Sequence, residues 1–233
     1  MCGIVGYIGS GKQEKILVDM LKHLDYRGYD SAGIAVIKPN QQNSLTCKID
    51  VTKTKGKLNS LEQLLKNSNK IPKNKFLVKD DFNTEELQKQ IETINELNEA
   101  DDVNSTCGIG HTRWATHGEA TTQNAHPHLS NNNEWAIVHN GIIENFQELK
   151  EELINNKFTF KSKTDSEIVV NLLQLNTDQD NKLPTITPLI ETCKKLKGSY
   201  ALAALNKNFK NTLFLARKKS PLYVAKSKKT IVV

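Results

Sequence analysis

Met1-Cys2-Gly3-Ile4-Val5-Gly6-Tyr7-Ile8 opens the chain, setting a thiol at the second position directly before an apolar run. Cysteine is small enough for an initiator methionine to be trimmed in front of it. Cys2 is therefore expected at the mature terminus, with a free α-amine beside its own thiol. An α-amine has an ordinary pKa of about 7.7–8.0 against about 10.4 for lysine, so roughly a tenth of such amines are unprotonated at pH 7. A terminal amine is thus a usable proton acceptor without burial, and a thiol beside a base is an activated nucleophile. Met-Cys alone also arises by chance; the motifs further along the chain decide between the two readings. Gly3 to Ile8 reads as a short buried strand.

Outward from this strand, Ile16, Leu17, Met20, Leu21 and Leu24 share one face of an amphipathic helix predicted over residues 13–24. Tyr26-Arg27-Gly28-Tyr29-Asp30-Ser31 is a polar, glycine-containing turn leading into a strand over 32–37. Residues 48–105 are rich in lysine, asparagine and glutamate and poor in aromatics. They read as a polar surface insertion at about 48–105, partly helical where Leu87, Ile91, Ile94 and Leu97 recur after the cap candidates Asn83 and Thr84. Order returns with strands predicted at 107–111 and 134–139, the second ending before Asn140-Gly141. Asn145 with Glu148, and Thr164 with Glu167, have the spacing of capping boxes that open two helices. A helix near 189–196 precedes strands at 200–205, 212–216, 222–225 and 231–233. Strand clusters at both ends with helices between predict layered sheets covered by helices, an α+β or α/β/α sandwich. The chain stops on the apolar run Thr230-Ile231-Val232-Val233. Natural ends are usually polar and frayed, so a continuation is expected.

Composition narrows the function classes. The chain has 233 residues, 37% hydrophobic and 25% charged, which fits one sizeable globular domain. Its +6 net charge is spread out, and the densest basic pieces, Arg217-Lys218-Lys219 and Lys226-Ser227-Lys228-Lys229, carry few interleaved aromatics. That pattern argues for a solvated surface and against a nucleic-acid groove. Cys2, Cys47, Cys107 and Cys193 form no C-x-x-C pair, which predicts no disulfide framework and suits a reducing cytoplasm. No apolar run approaches the length of a membrane span, and no signal-peptide pattern stands at the start.

Five strings occur in order: Cys2 to Gly6, Arg27 to Gly33, His111 to Gly118, His139 to Asn145, and Thr164-Asp165. Together they resemble the glutaminase domain of the glucosamine-6-phosphate synthase family, within the class II, N-terminal-nucleophile glutamine amidotransferases. The likeness spans residues 2–233 apart from the insertion at 48–105. It implies a four-layer αββα sandwich of the N-terminal-nucleophile hydrolase type. It also implies hydrolysis of the glutamine side-chain amide through a Cys2 thioester, the ammonia being destined for conversion of fructose 6-phosphate to glucosamine 6-phosphate. The sugar isomerase domains that would use it are absent from this chain.

The residues agree with that chemistry. Amide hydrolysis needs a nucleophile, a proton shuttle and donors for the oxyanion of the tetrahedral intermediate. Cys2 offers the first two, its amine acting through a water. Asn140 and Gly141, placed just past a strand end, offer a side-chain amide and a backbone N–H as the oxyanion donors; a hairpin turn is the competing explanation of Asn-Gly. Arg113 presents a planar fork for the α-carboxylate of glutamine. Asp165 can accept its α-ammonium, and an N-cap role for Asp165 is compatible with that. The resemblance places Trp114 on a loop closing over the substrate, Thr116 and His117 in the pocket lining, and Arg27 beside the catalytic terminus. His126 is assigned to the substrate pocket in a supporting place, and His139 to fixing the strand end before Asn140. The histidines show no metal-ligand spacing, and the chemistry asks for no metal and no cofactor. The expected partners are L-glutamine, a sugar isomerase domain or subunit, and a second copy of the whole enzyme in a homo-oligomer. Two other readings remain open: a class II glutaminase serving purine or asparagine synthesis, and a non-catalytic regulatory module of the same fold.

Overall fold

Val5 and Tyr7 point one way from the first strand and Ile4 and Ile8 the other, and both sets meet apolar partners. A strand buried on both faces lies inside a layered structure, and that is where strand β1 (Gly3–Gly9) sits in the computed structural model of the chain. The structure describes residues 2–40, 43–68, 106–114, 118–177, 186–227 and 230–233. In the first sheet β1 lies between β4 (Thr106–Arg113) and β10 (Ile231–Val232). The strands β2 (Ser31–Asn40) and β3 (Asn43–Lys55) extend it on one side and β9 (Ala225–Lys226) on the other, all neighbours being antiparallel. The second sheet has the order β5 (His128–Leu129), β6 (Trp135–Ile143), β7 (Gly198–Asn206), β8 (Phe214–Lys218), again antiparallel.

Side-chain alternation assigns the layers. Ala35, Ile37, Cys107 and Ile109 of the first sheet pack on Ala136, Val138, Ala203 and Leu205 of the second, forming the inter-sheet core. Three of these eight are alanines, which suits close approach of the sheets. On its other face the first sheet packs Val5, Tyr7, Ile34 and Val36 against helices α1 (Gln13–Lys22) and α2 (Leu58–Asn67). Gly108 and Gly110 lie on that face under α1. A Cβ at Gly108 would come within 2.6 Å of Leu17 Cδ1, and one at Gly110 within 3.1 Å of Leu21 Cδ1. The second sheet packs Trp135, Ile137, Tyr200, Leu202 and Ala204 against α3 (Phe146–Asn155), α4 (Ser166–Leu175) and α5 (Thr187–Lys195). The layer order is helix, sheet, sheet, helix, the expected αββα sandwich.

Three expectations need correction. The polar insertion expected to begin near 48 does not: residues through 67 belong to the fold. Strand β3 pairs with β2 from Ser31↔Lys55 to Asn40↔Asn43, and Leu58, Leu61 and Leu65 of α2 are buried in the core. The helix expected around Leu87 to Leu97 lies outside the described residues. Asn140 and Gly141 are not past a strand end but inside β6, opposite Ala201 and Tyr200. Neither capping box forms. Asn145 instead accepts the Lys197 N–H and donates to the Lys195 carbonyl, tying α3 to the segment after α5. Glu167 turns back onto the backbone N–H groups of Lys161 and Ser162.

Candidate active site

The pairing Gly3↔Thr112 brings the residue before β1 alongside the end of β4. Cys2 therefore lies beside Trp114. The Trp114 N–H donates to Cys2 Sγ at 3.2 Å, and the thiol reaches the Trp114 carbonyl oxygen at 3.6 Å. The short helical turn Asp25–Arg27 and the extended Gly28 bring the next segment across the same strand end. Only a glycine fits there, because a Cβ on Gly28 would stand 2.8 Å from backbone atoms of Thr112 and Arg113. The crossing is closed by Asp30 N–H donating to the Arg113 carbonyl at 3.1 Å. It sets the Tyr29 ring 5.0 Å from that of Trp114, both residues being partly exposed to solvent.

The second sheet supplies the facing wall. Along β6 the side chains alternate: Ala136 and Val138 face the other sheet, so Asn140 faces it too, while Trp135, Ile137 and Ile143 face the helices with His139 among them. On β4, Cys107 and Ile109 face the second sheet, and His111 and Arg113 continue that row. Asn140 and His111 meet where the rows end. The Asn140 side-chain amide donates to the Cys2 carbonyl at 3.0 Å, and its Oδ1 lies 2.9 Å from His111 Nε2. Gly141 has φ +124°, and a Cβ there would lie 2.0 Å from the Ser199 carbonyl oxygen, so this point of the strand accepts only glycine.

Arg113 is buried to 5% exposure, and its guanidinium donates to the carbonyls of Gly118 (3.1 Å) and Glu119 (3.3 Å). Burial lowers its pKa, and the acidic neighbours Cys2, Asp30 and Asp165 oppose that fall. Asp165 precedes α4, and its side chain makes no cap hydrogen bond. One carboxylate oxygen instead accepts the Ile143 N–H at 2.9 Å, and the other lies 3.8 Å from His139 Nδ1. Asp165 is thereby anchored to the same strand that carries Asn140. His139 Nδ1 also meets Ser166 Oγ at 2.9 Å.

His126 sits against the backbone of β6. It is buried, its Nδ1 accepts the His139 N–H at 3.1 Å, and its ring stacks on His111 at 4.2 Å with His128 edge-on at 4.7 Å. It supports the strand that carries Asn140, and a cis peptide bond joins it to the following Pro127. Arg27 lies in the short turn that precedes the crossing at Gly28. Its Nε donates to the Tyr26 hydroxyl at 3.0 Å and its guanidinium sits over the Tyr26 ring. Thr116 and His117 lie outside the described residues. Burial pushes the His111 pKa down to about 3, and those of His126 and His128 well below their ordinary value.

Two residues of the wall escape a motif reading. His111 stands in the quoted string without an assigned task, although its place in the alternating row with Cys107 and Ile109 signals an inward side chain. Lys53 lies within the segment read as an insertion. Its ammonium donates to the carbonyls of Gln123, Ala125 and Pro127 at 3.3, 2.7 and 3.1 Å.

The fold is the sandwich of the amidotransferases. The sandwich is shared with the glutamine phosphoribosylpyrophosphate amidotransferase from B. subtilis, at TM-score 0.65, 20% identity, all of this chain and 41% of that one. It is shared equally with a structure described as the allosteric regulatory enzyme of purine biosynthesis, at TM-score 0.66, 22% identity, all of this chain and 41% of that one. At these identities the likeness is one of fold. The profile of the glutamine amidotransferase domain matches residues 111–233, more than half the chain, so the protein belongs to the glutamine amidotransferase domain family. Among its relatives is a glutamine–fructose-6-phosphate aminotransferase (isomerizing) of Bacteroides thetaiotaomicron, 41% identical over 224 residues, 96% of this chain and 30% of that protein. Another bears the same name in Helicobacter pylori, 40% identical over 231 residues, 99% of this chain and 32% of that protein. The chain thus spans about a third of the length of these relatives.

Proposed function

We propose that the chain is the glutaminase unit of a glutamine–fructose-6-phosphate aminotransferase, releasing ammonia and glutamate from L-glutamine. One observation carries the reading: Cys2 is held by the Trp114 backbone while the Asn140 amide reaches the Cys2 carbonyl. A thiol and an oxyanion donor are thereby brought to one point from two sheets. After removal of Met1, Cys2 Sγ attacks the side-chain carbonyl carbon of glutamine and its proton passes through a water to the α-amine. Asn140 Nδ2–H and the Gly141 N–H receive the oxyanion. Collapse of the intermediate breaks the C–N bond, the α-ammonium returns a proton to the leaving nitrogen, and ammonia departs from a thioester. Water then attacks the thioester and glutamate leaves as the thiol re-forms. Arg113 and Asp165 hold the α-carboxylate and α-ammonium, Trp114 belongs to the loop that closes over the substrate, and Thr116 and His117 are assigned to the pocket lining.

The ammonia is destined for fructose 6-phosphate in an isomerase half of the kind that the named relatives have room to carry. The whole enzyme is read as a cytoplasmic homo-oligomer, in keeping with four cysteines that are all free thiols. The test is glutamate release from L-glutamine by the 233-residue chain and by Cys2→Ala. Release by the parent and none by the variant is expected, with intact mass showing loss of Met1 and a glutamine-like chloroketone adding once, at Cys2. Equal release by both proteins overturns the reading. With the isomerase half restored, amination of phosphoribosyl pyrophosphate or aspartate in place of the sugar phosphate overturns the choice of acceptor.

A further inference from the structure

The Asn140 amide has two ends, and the structure fixes what each must face. The Cys2 carbonyl oxygen is an acceptor, so the Asn140 atom 3.0 Å from it is the NH2 group. The opposite end, Oδ1, then faces His111 Nε2 at 2.9 Å. An amide oxygen accepts only, so Nε2 carries the hydrogen. His111 is wholly buried, with backbone of His139 close to the ring besides the Asn140 side chain. The tautomer with its hydrogen at Nδ1 would turn two acceptors on one another at Asn140. The stacked His126 ring, itself held by the His139 N–H, keeps the imidazole in this plane.

We propose that His111 is a positioning residue for the oxyanion donor: its Nε2–H holds Asn140 Oδ1, so that the Asn140 NH2 is presented to the Cys2 side of the site before substrate arrives. The proposal rests on the glutaminase reading. The benefit belongs to the transition state, because an amide free to rotate by half a turn would offer a carbonyl oxygen to a developing negative charge. Preorganised donors contribute because no reorientation is needed at the moment of reaction. The ring contributes no proton to the reaction; burial keeps it neutral across the working pH range.

The experiment is a double-mutant cycle on the 233-residue chain, reading kcat and KM for glutamate release. His111→Ala is expected to lower kcat by about 30- to 300-fold, short of or equal to the loss of one oxyanion donor, with KM within about threefold. The chloroketone should still label Cys2 in that variant, showing an intact nucleophile and a folded site. His111→Gln, which restores an N–H donor, should recover most of kcat. In an Asn140→Ala background His111→Ala should cost nothing further, since residues acting through one another are non-additive. Nitrogen NMR of the parent should show the Nε2–H tautomer from pH 8 down to pH 5, and this readout stands even if His111→Ala fails to fold. Additive losses in the cycle, an Nδ1–H tautomer, or a His111→Ala kcat near that of the parent overturns the proposal. If the parent itself releases no glutamate while showing the Nε2–H tautomer, the functional reading fails and the hydrogen-bond assignment survives alone.

Discussion

Lys53 on β3 and Ala125 in the loop before β5 are joined by a 2.7 Å hydrogen bond from the ammonium to the carbonyl oxygen, 72 positions apart in the chain. The same nitrogen serves the carbonyls of Gln123 and Pro127, so one side chain collects the loop that carries His126. Gly33 makes room for the join: a Cβ there would lie 2.2 Å from the His126 carbonyl oxygen and 2.5 Å from Lys53 Cβ. Burial pulls the Lys53 pKa down to about 8, opposed by the charge of Glu167.

Lys53→Met keeps the stem of the side chain and removes the donors. Buried carbonyls left without a partner cost about 1–3 kcal/mol, so a loss of about 2–4 kcal/mol is expected for the cluster, read as a lower urea midpoint at unchanged slope. A midpoint equal to the parent's shows that water replaces the ammonium freely.

Acid should destabilise this fold earlier than its carboxylates alone require. His111, His126 and His128 are buried with pKa values far under the ordinary 6.5, about 3 for His111. Below about pH 6.5 the unfolded chain binds protons at these rings and the folded chain does not. Stability therefore rises with pH in this window: it is complete above about 6.5 and declines as pH falls toward the folded-state values. Each ring contributes a slope of about 1.4 kcal/mol per pH unit once the unfolded ring is fully protonated. Urea titrations at pH 7, 6 and 5 should show the decline, and His128→Gln should flatten it by about one ring's share. A slope unchanged by that substitution contradicts a neutral, buried His128.

Alternation made the two-sided strands legible, because β1, β2, β6 and β7 alternate between two buried layers and read as apolar runs. The nucleophile, the Asn-Gly pair, Arg113 and Asp165 were legible as residue types whose chemistry fits one reaction. Strand β3 was hidden by its outer face. Lys48, Asp50, Thr52 and Thr54 made a polar stretch, although Ile49 and Val51 kept the period of two and pack toward the inter-sheet core. Asn140-Gly141 looked like a strand end because Asn-Gly is a local turn signal, whereas pairing with Ala201 and Tyr200 overrides it. The capping boxes had the correct spacing, yet Asn145 is taken by Lys195 and Lys197 from a later segment, and Glu167 by the backbone of Lys161 and Ser162 in the turn before the box. No local pattern announces the partners of Asn145, which are about 50 positions away.

Gly108→Val tests the layer between β4 and α1. The new Cβ would press on Leu17 Cδ1 at 2.6 Å and on Val36 Cγ1 at 3.0 Å, atoms already in a filled core. Overpacking of this kind costs about 1–3 kcal/mol. Gly108 lies opposite Tyr7 in the ladder, well along β1 from the Cys2 end. A lowered midpoint with an unchanged KM for glutamine in the folded fraction is expected; a raised KM shows that α1 transmits its displacement to the site.

Asp165→Asn separates the carboxylate's structural task from its proposed one. The amide oxygen of asparagine can still accept the Ile143 N–H that Asp165 accepts at 2.9 Å, so the end of β6 stays tied to α4. What disappears is the negative charge beside His139 and within electrostatic reach of Arg113. Hydrogen bonds to charged groups contribute about 1.5–3 kcal/mol, so a pocket that uses this charge for the α-ammonium should show KM for glutamine raised by about 10- to 100-fold. Uniform binding lost in this way leaves kcat little changed. The urea midpoint should fall only slightly, since the backbone tie is kept. The decisive comparison is with a substrate lacking the α-amino group: parent and variant should handle it alike. A variant equally impaired toward both substrates, or one with unchanged KM for glutamine, would assign Asp165 to holding β6 against α4 and leave the ammonium to another acceptor.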